Sequence, residues 1–306
     1  NGDGLNNYAD PNGWFNSGYV RVFSYNGSNW IQLGQKINGA GIMDYFGGSV
    51  SLSSDGSIFA AGAVNGGNGS IGGFGHVRVF SYNGSSWIQL GQDIDGEAAS
   101  DKSGQSVSLS SDGNTVAIGA YGNANNLGHA RIYKNINGTW TQIGQDIDGE
   151  AVGDNSGISV SLSDDGTAVA IGANGNDANG ISSGHVRVYS WSGSFWNQLG
   201  SDIDGEAADD RSGVAVSLSS NGKIAIGAPY NSGNGNRSGH VRVYSVSTPC
   251  NDFGCLDPLA LNYDPSATID DSTCIYPIYG CIDTAAVNYN ASANIDDGSC
   301  NYCSND

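Results

Sequence analysis

Four histidines are the residues of this sequence that could most readily bind a metal ion or transfer a proton. They are its only histidines, and each one begins the same short phrase, His-x-Arg-[Val/Ile]. A catalytic histidine is normally singular and is supported by partners that do not repeat. Four equivalent copies therefore predict a structural role in a repeat, and a ring of metal-binding histidines is the alternative. The four are His76, His129, His185 and His240.

Short acidic phrases are the second candidate for chemistry. Asp-Ile-Asp-Gly-Glu occurs three times, and several carboxylates in one short turn are typical of calcium sites. The alternative is a solvated Asp-Gly turn, which Lys36-Ile-Asn-Gly39 favours because it replaces the acidic phrase in the first repeat. The candidate calcium ligands in these phrases are Asp93, Asp95, Glu97, Asp146, Asp148, Glu150, Asp202, Asp204 and Glu206.

All six cysteines follow residue 249, where two modules repeat every 26 residues. Units this small cannot bury an adequate apolar core, so disulfides are their natural means of stabilisation. We predict the pairs Cys255–Cys274 and Cys281–Cys300, with Cys250 and Cys303 as a candidate third bridge, although 15 pairings of six cysteines exist. Zinc is the weaker interpretation because Cys-x-x-Cys occurs once and no histidine is near it.

The same modules are rich in carboxylates. Their aspartates form a second group of candidate calcium ligands, as expected for oxygen-rich loops. Six sequences of the form Asn-x-[Ser/Thr] also match the acceptor rule for N-linked glycans, at Asn26, Asn68, Asn83, Asn137, Asn236 and Asn290. In a bacterial protein such sequences are usually turns. The candidate calcium ligands of the modules are Asp257, Asp264, Asp270, Asp271, Asp283, Asp296 and Asp297.

Composition excludes several classes of function. The formal net charge of the 306 residues is −19, and a nucleic-acid backbone would be repelled by such a surface. No window reaches the roughly 18 consecutive apolar residues of a membrane span. Disulfides indicate a compartment outside the cytosol. Because the sequence begins with Asn1 rather than Met and has no signal-peptide pattern, we expect a processed chain or a fragment.

A repeat positions these residues. The phrase Gly-x-[Val/Ala]-Arg-[Val/Ile] begins at residues 18, 75, 128, 184 and 239, and each unit holds short segments of period-two alternation between Asn-Gly, Ser-Gly or Asp-Gly turns. This pattern is typical of antiparallel strands joined by tight hairpins. Four-stranded units of about 50 residues favour a β-propeller over a solenoid. The predicted fold is therefore all-β, with propeller repeats over 1–248 and Cys-rich modules over 254–276 and 280–302.

The strand count is uneven. Three blades are complete, at roughly 48–91, 105–144 and 158–200, while the chain begins with the last two strands of a blade and ends with the first three of another. About five blades result. We expect the split ends to pair with each other; completion by a neighbouring chain, through strand addition, is the alternative.

The repeats also resemble a known class. Asp44-Tyr-Phe-Gly47 and Gly227-Ala228-Pro229 look like the FG-GAP repeat class of propeller, over roughly residues 18–246. The nearest likeness is to Gly-His-Val-Arg-Val-Tyr repeats of secreted Bacteroidota proteins, and the tail modules resemble tandem units near the ends of such proteins. The resemblance implies an extracellular location. The resemblance also implies that Ser272 and Thr284 are candidate acceptors for O-glycosylation. The hairpin that carries calcium in integrin-type FG-GAP domains is too short here, which weakens the calcium interpretation.

Two functions follow as hypotheses. The first is a non-catalytic structural or adhesive protein of the cell surface, with copies of itself as partners in a filament and surface glycans as further candidates. Its support is the repetition and the lack of a unique site. The second is a lectin or an enzyme that uses the propeller funnel, where Trp14, Tyr45 and Phe46 could stack on sugar rings.

Overall fold

The computed structural model describes residues 16–66, 73–245, 253–263, 265, 269–270 and 273–302. The chain divides into two compact units, Asn1–Val246 and Ser247–Asp306. In the described residues, the first unit contains one four-residue helical turn, α1 (Asn123–Asn126), and twenty strands. These are β1 (Tyr19–Tyr25), β2 (Trp30–Asn38), β3 (Ser49–Leu52), β4 (Ile58–Ala63), β5 (His76–Tyr82), β6 (Trp87–Gln89), β7 (Ile94–Asp95), β8 (Ser106–Leu109), β9 (Thr115–Ala120), β10 (His129–Ile136), β11 (Thr139–Gln142), β12 (Ile147–Asp148), β13 (Ser156–Leu162), β14 (Ala168–Ala173), β15 (His185–Trp191), β16 (Trp196–Gln198), β17 (Ile203–Asp204), β18 (Ala215–Leu218), β19 (Lys223–Ala228) and β20 (His240–Ser245).

The strands form five antiparallel sheets in chain order. The first sheet is β1–β2, the second β3–β6, the third β8–β11, the fourth β13–β16 and the fifth β18–β20. In the three middle sheets a two-residue strand, β7, β12 or β17, also pairs with the start of the third long strand. The complete sheets therefore match the predicted four-stranded units.

The sheets pack face to face around their first strands. β3 contacts β8, β8 contacts β13, and β13 contacts β18. Between the second and third sheets, Val77 and Val79 are buried in one apolar cluster with Val107, Tyr133 and Trp140. Both faces of the second strands are therefore covered, which explains their small apolar residues, as in Thr115–Ala120. This is the arrangement of blades in a β-propeller, and it confirms the predicted fold class.

Within the described residues the two end sheets have fewer than four strands, and they do not pair with each other. β1–β2 and β18–β20 are separate sheets of two and three strands. The expectation that the split ends join into one blade is therefore wrong for this structure. The physical reason is that β1 and β20 both have the sequence pattern of the third strand of a complete sheet. In a combined sheet, two strands would therefore compete for the same position.

The second unit consists of two small modules. In its described residues the parallel pairs are β21 (Phe253–Gly254) with β22 (Ile269–Asp270) and β23 (Tyr279–Gly280) with β24 (Ile295–Asp296). Disulfides join Cys255 to Cys274 and Cys281 to Cys300, which confirms both predicted pairs. Cys250 and Cys303 lie outside the described residues. In the described part of the chain, no helix is long and apolar enough to span a bilayer.

Candidate functional site

Histidine and acidic side chains meet where one sheet follows another. In the third sheet, β10 begins at His129 and pairs with β12, so that His129 lies opposite Asp148. In the fourth sheet, His185 lies opposite Asp204 in the same way. A glutamate from the loop that leaves the preceding sheet joins each group. The repeat therefore brings together residues that are far apart in the sequence.

We call the group in the fourth sheet cluster 2; it consists of Glu150, His185 and Asp202. One ligand atom of each residue lies within 4.8 Å of the other two. His185 Nδ1 is 3.6 Å from Asp202 Oδ2 and 3.9 Å from Glu150 Oε2. Asp204 Oδ1 adds a fourth oxygen 4.0 Å from the same nitrogen. All of these distances exceed those of a hydrogen bond.

Cluster 1 is the equivalent group of the third sheet, Glu97, His129 and Asp146, and it meets the same 4.8 Å limit. His129 Nδ1 is 3.9 Å from Asp146 Oδ2 and 4.0 Å from Asp148 Oδ1. The two clusters share residue types and element positions, so the geometry is a property of the repeat. No other group of three His, Cys, Asp or Glu side chains comes this close within the described ranges.

Each carboxylate of the clusters is oriented by a second partner. Gln198 Nε2 donates to Asp202 Oδ1 at 2.6 Å, which leaves Oδ2 facing His185. Gln142 holds Asp146 in the same manner. Arg187 lies 3.7 Å from Glu150 Oε1, while the other oxygen of Glu150 faces the histidine. One oxygen of each carboxylate is therefore left for a ligand or for water.

Buried aspartates fix the loops that carry the glutamates. Asp101 Oδ2 accepts the backbone N–H groups of Glu97 and Ala98, and Asp154 Oδ2 accepts the N–H of Ala151 beside Glu150. Asp101 and Asp154 are themselves almost fully buried. They belong to the repeated Asp-x-Ser-Gly phrase, so this part of the phrase holds the glutamate in position.

The imidazoles of both clusters favour the neutral state. Burial lowers the pKa of His185 below its usual range, the positive charge of Arg187 lowers it further, and the carboxylates Asp202 and Glu150 oppose the shift. Burial and Arg131 lower the pKa of His129 in the same way. His185 is 0% exposed, and its Nδ1 atom has no hydrogen-bond partner. A neutral imidazole keeps a lone pair on one of its nitrogens.

The other two histidines have incomplete surroundings. His76 faces Asp44 at 3.9 Å, but Ala40 occupies the position that Glu97 and Glu150 occupy in the clusters. His240 faces Glu206 at 3.7 Å, and the fifth sheet has no fourth strand in the described chain to supply an aspartate. The described ranges therefore contain two complete clusters and two natural variants of them.

The remaining acidic candidates that the structure describes lie in turns or in two-residue strands, as Asp95 does in β7. Asp93 accepts a hydrogen bond from Gln89, whereas Asp257 and Asp283 accept both a backbone N–H and a tyrosine hydroxyl. Asp296 and Asp297 accept backbone N–H groups two residues on. Asp264, Asp271 and Ser272 lie outside the described residues, as does the side chain of Asp270. Among the tail carboxylates that the structure describes, no three come together.

The candidate glycan and sugar-binding residues are spread over the structure. Asn26, Asn83 and Asn290 accept backbone N–H groups within their own turns, and Asn137 lies in a hairpin turn with a positive φ. Phe46 is buried beneath Arg78, so its ring is not free to stack on a sugar, whereas Tyr45 is exposed. Trp14 lies outside the described residues. A cleft lined by residues 98–102, 121–122 and 124–126 contains Lys102 and Tyr121.

The repeat has a recognised relative. The family model described as "FG-GAP repeat" matches residues 202–244, which include Asp210-Arg-Ser-Gly213 and Gly227-Ala228-Pro229. Residues 202–244 are therefore similar to an FG-GAP repeat. The matched motifs recur in the earlier sheets. A comparison with curated proteins found no match.

Three solved structures are similar in fold at low identity. TolB from Acinetobacter baumannii is 13% identical, with a TM-score of 0.44, and the match covers 75% of this chain and 47% of that one. Sqt1 from Chaetomium thermophilum is 15% identical, with a TM-score of 0.45 and coverages of 67% and 44%. The periplasmic gluconolactonase PpgL of Pseudomonas aeruginosa is 14% identical, with a TM-score of 0.46 and coverages of 74% and 64%. The chain thus spans about half to two thirds of these structures.

Proposed function

We propose that this chain is a non-catalytic, extracellular structural protein whose copies join head to tail through their end sheets. The proposal rests on one contrast. Trp87, Trp140 and Trp196 occupy the same repeat position and are 2–3% exposed, because each packs on the preceding sheet. Trp30 occupies this position in the first sheet and is 68% exposed. The Trp30 face of the first sheet has the residues of an intersheet contact, and no described sheet of the chain packs against it.

The other end of the array has the matching half of the contact. Val77 and Val79 of the second sheet are fully buried against Tyr133 and Trp140 of the third. Their equivalents in the fifth sheet, Val241 and Val243, are 68% and 65% exposed. Exposed apolar faces of this kind mark interaction surfaces. A second copy could therefore place its valines on the Phe23 and Trp30 face of the first.

The polar contacts between sheets agree with the pairing of the fifth-sheet face of one copy with the first-sheet face of another. Ser49, Ser106 and Ser159 each donate their hydroxyl to a glycine carbonyl at the start of the next sheet's first strand. Ala215 stands at this position in the fifth sheet. The first sheet has no first strand in the described chain, so it would offer no carbonyl to a serine of the copy that docks on it.

Such a contact joins two different surfaces, so each copy keeps one free face and the assembly can continue. The two disulfides support an extracellular setting, because such bonds persist in oxidising compartments. Repetition supports a structural role, since each candidate chemical group recurs in equivalent sheets.

Complementary face variants test the proposal by sedimentation velocity and electron microscopy. We expect wild-type chains to form oligomers that lengthen with concentration. Trp30→Ser and Val243→Asp should each be monomeric alone, because each loses one half of the contact. Mixed together, they should form dimers and nothing larger, since one intact face of each kind remains.

The controls are Phe195→Ser and Val152→Asp, which change exposed apolar residues away from the end faces and should leave assembly unchanged. A wild-type monomer at high concentration would overturn the proposal. So would oligomers that persist in both single variants, or a mixture that fails to form dimers.

A further inference from the structure

We infer that clusters 1 and 2 are binding sites for a divalent transition-metal ion of the zinc class, one ion at each of two junctions between sheets. The inference does not depend on head-to-tail assembly. At cluster 2 it rests on a buried nitrogen that has no partner and on the carboxylate oxygens that surround it. At cluster 1 it rests on the equivalent arrangement of Glu97, His129 and Asp146. Each site takes His and Asp from one sheet and Glu from the loop of the sheet before.

The unpartnered nitrogen is the observation that points to a ligand. His185 is fully buried, its Nδ1 atom has no hydrogen-bond partner, and this atom faces three carboxylate oxygens at 3.6–4.0 Å. One of them, Asp204 Oδ1, is likewise buried without a partner. Two ligand atoms of a tetrahedral zinc ion lie about 3.3 Å apart, given metal–ligand distances near 2.0 Å. Small side-chain shifts would therefore close the site around an ion.

The donor set decides the class of ion. An imidazole nitrogen with two or three carboxylate oxygens suits zinc and its neighbours among the transition metals. Calcium prefers six to eight oxygen ligands and rarely takes nitrogen. The calcium that the acidic phrases suggest is therefore the wrong class for Asp146, Glu150 and Asp202. Gln142 and Gln198 would act as outer partners that hold the two aspartates.

The chain also predicts the number of ions. Cluster 1 and cluster 2 are complete, whereas His76 lacks the glutamate and His240 lacks the aspartate. Two ions per chain are expected. Because each ion would join neighbouring sheets, it should also raise the unfolding temperature of the repeat unit, as any ligand of the folded state does.

Zinc titration of the chelator-treated chain tests the inference. Isothermal titration and elemental analysis after gel filtration should give two zinc ions per chain, and cobalt(II) should give the visible absorption of a nitrogen–oxygen site. Glu150→Gln should reduce the count to one, and Glu97→Gln with Glu150→Gln should abolish stoichiometric binding. These glutamates are half exposed, so the variants should fold.

The matched controls change acidic residues at equivalent repeat positions outside the two clusters. Asp93→Asn and Glu206→Gln should leave two zinc ions bound and the cobalt spectrum unchanged. Circular dichroism checks that each variant is folded. Absence of stoichiometric zinc at micromolar concentration would overturn the inference. Equal binding by the double variant, or a preference for calcium over zinc at the same residues, would overturn it as well.

Discussion

The two compact units are stabilised by different means. In the repeat unit, whole strands are buried between neighbouring sheets, and Ala60, Val77, Val116 and Ile132 are fully covered. In the tail, the buried residues among those described are two cysteines, two alanines and Gly280, and each module is closed by a disulfide. Residues that repeat can share a core with their neighbours, whereas a 26-residue module has too little apolar surface and uses a covalent bond.

The largest expected difference between the units is their response to reduction. Each tail disulfide closes a segment of 19 residues, and such a bond contributes about 3 kcal/mol. With a phosphine reductant, hydrogen exchange should become fast over residues 253–302 and stay slow in β9 and β14. Slow exchange in the reduced tail would show that the modules do not depend on their disulfides.

The next prediction compares one residue type at two places. Trp140→Ala should lower the free energy of unfolding by about 3–5 kcal/mol, because it removes a buried side chain from the core between sheets. Trp30→Ala should cost less than about 1 kcal/mol in dilute protein, because that side chain is exposed. Urea unfolding followed by circular dichroism measures both. Equal losses of unfolding free energy in the two variants would mean that another surface covers Trp30 in solution.

A smaller effect is expected from the amide that joins neighbouring sheets. Gln92 Nε2 donates to the carbonyl of Trp140, and Gln92 Oε1 accepts the N–H of the same residue. Gln92→Ala should lower the free energy of unfolding by about 1–2 kcal/mol, because it leaves two backbone groups without partners. Gln32→Ala changes an exposed side chain and serves as the control in the same urea assay. A loss no greater than that of the control would contradict the assigned role.

The smallest expected effect is the loss of stability in acid that comes from the turns between the first and second strands of the three complete sheets. The N–H of Ser57, with the hydroxyls of Ser53 and Ser57, lowers the pKa of Asp55 to about 2. Partial burial opposes the shift at Asp112 and Asp165, but hydrogen bonds to their serine, threonine and asparagine neighbours lower the pKa of both. In each case the folded state binds its proton less readily than the unfolded state. The stabilisation is therefore present above the ordinary pKa of 3.8 and is lost at lower pH, for Asp55 as the pH falls towards 2.

Replacing the three aspartates by asparagine should flatten the fall of the unfolding temperature between pH 4 and 2. Asn221 already occupies this place in the fifth sheet, where Ser219 donates to its side-chain oxygen, so asparagine fits the turn. The wild type and the triple variant should have similar unfolding temperatures at pH 7. Parallel pH curves would contradict the assigned cause.

Much of the fold could be predicted from the sequence because its signals are local. Asn-Gly and Asp-Gly turns set the hairpins, and period-two alternation set which residues face the neighbouring sheets, as at Val77 and Val79. The cysteine spacing indicated the two disulfides, since each module had one apparent partner for each cysteine. The sequence also indicates where the array of sheets ends. Ser201 stands at the repeat position of Gln92 and Gln145, and the sheet that follows it has no tryptophan with which such a glutamine could form hydrogen bonds.

The histidine–acid clusters could not be predicted in this way. In the sequence, Glu150 belongs to one repeat and His185 to the next, and only the stacking of two sheets brings their side chains to 3.9 Å. The same holds for the open ends, because Trp30 and Trp87 have the same local sequence and differ only in what packs on them. Local alternation and turn chemistry determined the strands and the modules. Contacts between sheets, which depend on which neighbour is present, decided where nitrogen and oxygen meet and which apolar faces remain uncovered.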